Sequence, residues 1–393
     1  MLGGNVMEFP TRYVKLAEAR RRYGDRVDRF GRFLLVGDPL ADAAVDALAP
    51  LARGERDALI DRCLALGVDA VPDAPDALRA LFAQLDHVPF WVDFDRVDRG
   101  GRAFLEAGLL GGLVLGTYSL VAGYCSPAGN KPLMFSGRLA SDVPRRLAET
   151  SRFVEVVAAA GGMRRHAEGF RACVKVRLMH AAIRRGLQRS PKWDTAAWGV
   201  PINQADASGT TLLFSYVLVD GLDKLGHVMP DAAVEDFLHL WRYAGHVLGV
   251  DHELLAATRA EAAALWDLLS STQDPPDADA RALADALIGS GRLAARTDDE
   301  ADAAEKRIPF AYALSRYMLG DTYADQLGYP RSSWRHVFPA FRALNAAALG
   351  RARALGPVER LFFEAGRRYW RDVTTMALRG VPAAFSMPDP PHA

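Results

Sequence analysis

The stretch Val174-Lys175-Val176-Arg177-Leu178-Met179-His180-Ala181-Ala182-Ile183-Arg184-Arg185 decides the fold. Val176, His180, Ile183 and, just past its end, Leu187 recur at three- and four-residue steps, the period of one helix face. Much of the remaining circumference is apolar too, so the segment reads as a buried helix.

The same period extends in both directions. Alanine-, leucine- and arginine-rich runs predict helices over 41–53, 54–66, 75–85, 101–123, 143–160, 163–188, 207–225, 231–248, 252–269, 278–289, 300–318, 332–349 and 356–378. Convincing alternating strands are few. Ser141 or Asp142 suits the cap of a helix with Pro144 in its first turn, and Asp231 after Pro230 opens another. Ser270–Asp279, holding Pro275-Pro276, predicts a solvent loop or a joint between sub-domains. The fold class is therefore all-α, a single large helical domain. Its simplest division is an N-terminal helical extension over 1–90, a core over 91–270, C-terminal helices over 271–386 packing on that core, and a loose tail over 387–393.

Composition narrows the function. With 393 residues, 50% of them hydrophobic and 24% charged, the chain is globular and long enough for a sizeable core. Forty-eight basic residues balance forty-eight acidic ones, which argues against a nucleic-acid binder working by phosphate neutralisation. Cys63, Cys125 and Cys173 form neither a disulfide framework nor a CxxC motif and fit a reducing compartment. Met1 to Arg20 has no apolar core of the secretory kind. Arg20-Arg21-Arg22 leads into Tyr23-Gly24-Asp25, so a twin-arginine export reading fails. The most lipid-like window, Ala107–Ala122, is short and carries Gly108, Gly111, Gly112 and Gly116. It reads as a buried core helix instead of a membrane span. A cytoplasmic protein is expected.

Most familiar chemistry is missing from the sequence. There is no GxSxG elbow, Walker A loop or HExxH helix. The glycines of 108–116 follow no predicted strand, which removes a dinucleotide fingerprint. Asp236-x-x-His239 stands alone, whereas a di-iron bundle needs two such pairs and further carboxylates. His239 and His246 lie two helical turns apart, so with His252 they read as packing among aromatics and not as chelators.

His180 differs. Its imidazole lies on an apolar stripe, Ala181 and Ala182 leave room beside it, and Arg177 and Arg184 stand one turn either side. An axial imidazole in an apolar slot, small neighbours and cations for two propionates are what a haem requires together. A satisfied core histidine competes with that reading on spacing alone. Arg146, Glu149, Thr150, Phe153 and Val157 share a face of the helix that begins near Pro144. A charge pair and a hydroxyl above an apolar floor suit a pocket that binds or polarises dioxygen. Arg145, Arg152 and Glu155 surround that face, and an ordinary solvated helix face is the competing reading.

Taken together, Gly129-Asn130-Lys131-Pro132-Leu133, Ser136-Gly137-Arg138-Leu139, Arg145–Val154, Val176–Arg184 and Trp241-Arg242-Tyr243-Ala244-Gly245-His246-Val247-Leu248-Gly249-Val250 resemble the rubber oxygenase (latex-clearing protein) and MpaB-like haem oxygenase family over about residues 90–260. The resemblance implies a helical core over 91–270 holding one haem b, with His180 as the iron's protein ligand. Arg177 and Arg184 become cofactor-binding candidates, by pairing with propionates or by fixing the ligand helix. Arg146, Glu149 and Thr150 become the catalytic candidates on the other side of the iron. Where the rubber oxygenase has a lysine able to occupy the sixth iron position, this chain has Glu149, a poor axial ligand. A lysine-closed resting state is therefore not expected, and Glu149 is left to pair with Arg146, accept a proton or face water. The family's best-known members are secreted or membrane-anchored, and this sequence shows neither address. The activity expected is haem-dependent oxygenation, by dioxygen, of a small or medium apolar molecule, with olefins and isoprenoids among the candidates. A haem peroxidase-like or haem-sensing protein, or a non-enzymatic helical interaction protein, are the alternatives.

Overall fold

The computed structural model describes residues 8–135, 143–354 and 358–378, with positions 380, 381, 383 and 385. Among these the chain forms helices and connecting loops and no strand. Eight helices position the site: α1 (Pro39–Leu48), α2 (Asp76–Asp86), α3 (Phe94–Val114), α4 (Val143–Ala158), α5 (Glu168–Arg189), α6 (Asp231–Val247), α7 (Asp298–Leu319) and α8 (Val358–Leu378).

Local chemistry sets several of their ends. Asp38 accepts the Ala41 N–H at 3.2 Å and Pro39 takes the first helical position of α1. Thr297 caps α7 through the Glu300 N–H, with Asp298, Asp299 and Glu300 in the first turn against the positive end of the helix dipole. Two expected helices are broken. The run predicted over 207–225 becomes Gln204–Phe214 and Tyr216–Lys224, divided at Ser215, whose hydroxyl bonds back to the Thr211 carbonyl at 2.8 Å. The run over 252–269 is a short turn, His252–Leu254, followed by Arg259–Ser271. Ser270–Asp279 is not simply a solvent loop. The helix continues to Ser271, Thr272 is fully buried, and its carbonyl accepts the Val14 N–H. The expected caps Ser141 and Asp142, the motif Ser136–Leu139 and the tail 387–393 lie outside the described residues.

Helix α3 is the hub. It packs against α6, α8 and α4, while α5 joins α4 to α6, so α3, α4, α5 and α6 close a circuit. Adjacent glycines let α3 sit so near two partners. A Cβ on Gly100 would overlap the Asp236 carbonyl of α6, and one on Gly101 the Ala158 carbonyl of α4. Gly108, at φ 45° and ψ −123°, interrupts α3 where Gly366 of α8 crosses it. The helix then loosens into a π-helical turn, Leu115–Ser119, before resuming as Leu120–Tyr124. Ser315 of α7 donates to the Thr117 carbonyl at 2.6 Å within that turn. By length and composition Phe94–Tyr124 is apolar enough to cross a membrane, yet 61% of its most apolar window is buried in the fold.

The main apolar cluster runs from Ala44 to Trp370, so the N-terminal, central and C-terminal stretches share one core. A smaller cluster seats Tyr13, Val27, Phe30 and Leu34 on Leu254, Leu255 and Leu268. Buried Arg12 secures this N-terminal region, gripping Asp206 with two bonds of 2.8 Å and reaching Gln273 at 3.0 Å.

Candidate functional site

His180 sits at the middle of α5, among Val176, Met179 and Ile183. Burial, and then the Arg184 guanidinium one turn on, push its pKa down to about 4, with Asp38 opposing. The ring is therefore a neutral imidazole near pH 7, the form that ligates metals. Neither ring nitrogen has a hydrogen-bond partner among the described residues. Although deep in the fold, the side chain keeps some accessible surface, so it borders open space instead of being sealed by its neighbours. A satisfied core histidine would show the reverse pattern, a bonded ring nitrogen and no free surface.

The arginines around it are held from outside α5. Arg177, 4% exposed, donates to Asp38 through Nε at 2.6 Å and Nη2 at 3.0 Å, and through Nη1 to Gln84 Oε1 at 2.7 Å. Arg184 donates to Asp42 at 2.8 Å and to the Ile202 carbonyl at 2.9 Å. Arg185 binds Asp46 through Nε at 3.1 Å and Nη2 at 2.6 Å. Burial raises the Asp42 carboxyl pKa against the lowering pull of Arg184, whereas the hydrogen bond from Arg185 lowers that of Asp46. Asp38, Asp42 and Asp46 are spaced four residues apart at the start and along one face of α1, forming a carboxylate rail that clamps α5. Arg177 and Arg184 are each paired with a carboxylate of the α1 end, so their contacts tie α5 to α1. The aspartates were missed in the sequence, although their i, i+4, i+8 spacing was there to be read.

Helix α4 packs directly on α5. Its Arg146, Glu149 and Thr150 are half-buried, above Phe153 and Val157, which are buried. The charge pair differs from the expected one. Glu149 is bound by Arg145, Nε to Oε1 at 2.7 Å, because an i, i+4 separation brings those two heads together. Arg146 turns instead to the Tyr124 hydroxyl, whose pKa burial raises and the guanidinium partly lowers again. The Thr150 hydroxyl has no hydrogen-bond partner among the described residues. Tyr124 carried no signal in the sequence, since it ends a stretch that reads as plain core.

One turn beyond Thr150, Phe153 meets Trp241 of α6 with ring centroids 6.3 Å apart, and Trp241 stacks on Phe214 at 5.2 Å. The Trp241 indole N–H is buried without a partner. Packed helices thus carry a neutral, unbonded imidazole on α5, and on α4 a cation turned to a tyrosine, a hydroxyl without a described partner and a phenyl ring against Trp241 of α6.

The two histidines of α6 are occupied. His239 Nε2 accepts the Asp93 N–H at 3.1 Å, the Gln84 amide lies 3.1 Å from His246 Nε2, and both rings meet Trp91 edge-on. Asp236 is taken by Arg96 at 2.8 Å and Arg99 at 2.6 Å. Among the described residues no three His, Cys, Asp or Glu side chains converge as a metal site.

Known proteins share this architecture. The Rubber oxygenase of Streptomyces sp. (strain K30) is 28% identical over 263 residues, which span 65% of this chain and 61% of that protein. The match thus reaches about three-fifths of the relative's length. The solved structure of latex clearing protein LCP in the closed state superimposes with a TM-score of 0.68 at 26% identity, covering 86% of this chain and 91% of the other. The family model for the catalytic domain of the ER-bound oxygenase mpaB/B′ and rubber oxygenase matches residues 102–351, well over half of the chain, so the chain belongs to that family.

Proposed function

We propose that the chain is a haem b-dependent oxygenase that uses dioxygen on a small or medium apolar substrate, with an olefinic or isoprenoid chain as the best fit. One observation carries the reading: the neutral His180 imidazole, unbonded yet bordering open space, on a helix clamped by three arginine–carboxylate contacts. A bare ion needs several protein donors, and none converge here among the described residues. A single imidazole suits a group that brings its remaining ligands with it, as a porphyrin does. Bound there, haem b would supply the redox-active iron at which dioxygen is activated.

The chain's own residues then divide the work. The aspartate rail holds α5, and so the imidazole, in one place, since a ligand misplaced by an ångström loses much of its effect. Arg146 and Thr150 orient oxygen from α4, as a cation and a hydroxyl that need no reorganisation during reaction. Tyr124, kept neutral by burial, retains its phenolic proton as a donor beside Arg146. Glu149, positioned by Arg145, is the carboxylate available as a base. Phe153, Trp241 and Phe214 exclude water and offer an apolar wall. Membership of the family supports this assignment, and the relative named a rubber oxygenase supports an isoprenoid substrate chemistry.

The test is the optical spectrum of protein expressed with ample haem supply, ferric and then dithionite-reduced under carbon monoxide. A Soret band that disappears in His180→Ala, with helicity kept, is expected. Colourless wild-type protein overturns the reading.

A further inference from the structure

The C-terminal helices leave an apolar and cationic face uncovered. The helix Val337–Ala354 buries only Phe338 and Leu349 of its described side chains. Val337, Phe341, Leu344 and Ala348 follow a four-three-four spacing, so they form one stripe, and Val337, Phe341 and Leu344 are 48, 40 and 72% exposed. Exposed Trp334 precedes the stripe, and the adjoining α8 adds exposed Leu361 and Phe362. A contiguous apolar patch of this kind marks an interaction surface.

Charge identifies the partner. Arg331–Ala352 carries four arginines and no carboxylate in a chain whose overall charge is zero. Arg331 pairs with Asp325, and Arg342 donates to the Asp223 carbonyl, whereas no carboxylate among the described residues lies within ion-pair distance of Arg335, Arg342 or Arg351. A second copy docked on this face would bring two such arginine sets together without compensation, which opposes self-association. Next to Trp334 lies a cavity of about 190 Å³ lined by Arg316, Arg331, Arg335, Ser332 and Tyr317. Asp321 lines it as well; Arg316 binds that carboxylate at 2.8 Å and Asp325 at 2.6 Å, and Arg331 shares Asp325, so Arg335 is the arginine of this lining with no carboxylate among the described residues. Aromatic and aliphatic side chains flanked by arginines are the composition of a helix lying in a bilayer interface.

We propose that this face docks on an anionic phospholipid bilayer, the stripe entering the headgroup boundary and the arginines without a carboxylate partner, Arg335, Arg342 and Arg351, meeting lipid phosphates. The proposal stands independently of the oxygenase reading. It concerns a surface formed by residues 331–352 with Leu361 and Phe362 and would hold for a protein of any activity.

Flotation of the full chain with phosphatidylcholine vesicles, and with three-to-one mixtures of phosphatidylcholine and phosphatidylserine, tests it. Binding is expected only to the mixed vesicles and should fall steeply with added salt. Each arginine near such a surface strengthens binding about fivefold, so Arg335→Gln with Arg351→Gln should weaken it about 25-fold. Phe341→Ser with Leu344→Ser should abolish it, with the melting temperature of each variant checked against wild type. Equal binding to neutral vesicles, no binding to either, or salt-independent binding overturns the proposal. Dimerisation in solution that Phe341→Ser with Leu344→Ser abolishes would also overturn it, by assigning the face to a second copy. Should a variant fail to fold, the salt series on wild-type protein decides.

Discussion

Replacing Arg177 with methionine tests whether the aspartate rail holds α5. The side chain is 4% exposed and its partner Asp38 has 9% side-chain exposure, so the pair is desolvated. Methionine removes two charge-assisted bonds to Asp38, of 2.6 and 3.0 Å, and the 2.7 Å bond to Gln84. The Asp38 carboxylate then keeps only the Ala41 N–H, and a buried charge stripped of its partner costs about 3–5 kcal/mol. Out of a typical total stability of about 5–15 kcal/mol, that is a large share. In Asp38→Asn with Arg177→Met the uncompensated charge is gone while an amide still caps α1. The loss should shrink to about 1–2 kcal/mol, mainly the hydrogen bonds to Gln84 and the Val247 carbonyl. Urea denaturation of haem-free protein, fitted with a common slope, measures both variants. A single-variant loss below about 1 kcal/mol, or a double variant no better than the single, refutes the reasoning. So would unchanged haem-free stability combined with faster haem loss, because that pattern belongs to a propionate partner and not to a helix clamp.

Other outcomes follow from the same structure. His180 and His246 are both held near a pKa of about 4, mainly by burial, against an unfolded value of 6.5. The unfolded chain therefore binds more protons than the folded one between those values. Stability of the haem-free protein should be complete above pH 6.5 and fall as the pH drops toward 4, and His246→Gln should reduce that slope without abolishing it, because His180 and His239 are lowered too; a flat denaturation profile across the window contradicts this. Gly100→Val would press a side chain into the Asp236 carbonyl and should cost about 3 kcal/mol or more in thermal denaturation, and wild-type stability would disprove the α3–α6 close approach. Thr150→Val keeps the shape and removes the hydroxyl. Turnover should fall about 100-fold with the Soret band unchanged, and full activity would remove Thr150 from the site.

The sequence determined the helices and set one histidine apart on an apolar helix stripe. Periodicity is a local property, so most of the thirteen helical runs, the apolar stripe through Val176, His180 and Ile183, and the helix start at Asp231 were legible from neighbours three and four residues apart, although Pro230 holds the cap position there and no side chain caps that helix. Even the aspartate rail lay in the sequence as a four-residue repeat. What it would meet did not. Asp38 and Arg177 are 139 residues apart, and only the packing of α1 on α5 shows that the cations beside His180 are already paired. Arg145 and Arg146 are equally good partners for Glu149 on paper, and the turn of Arg146 toward Tyr124 decided between them. The double glycine at 100 and 101 acquired meaning only when two other helices crossed there, and the break at Gly108 only where α8 does. Local spacing fixes which side chains share a helix face. Which faces meet is decided by burial and close approach between distant segments, and those contacts exist only in the folded chain.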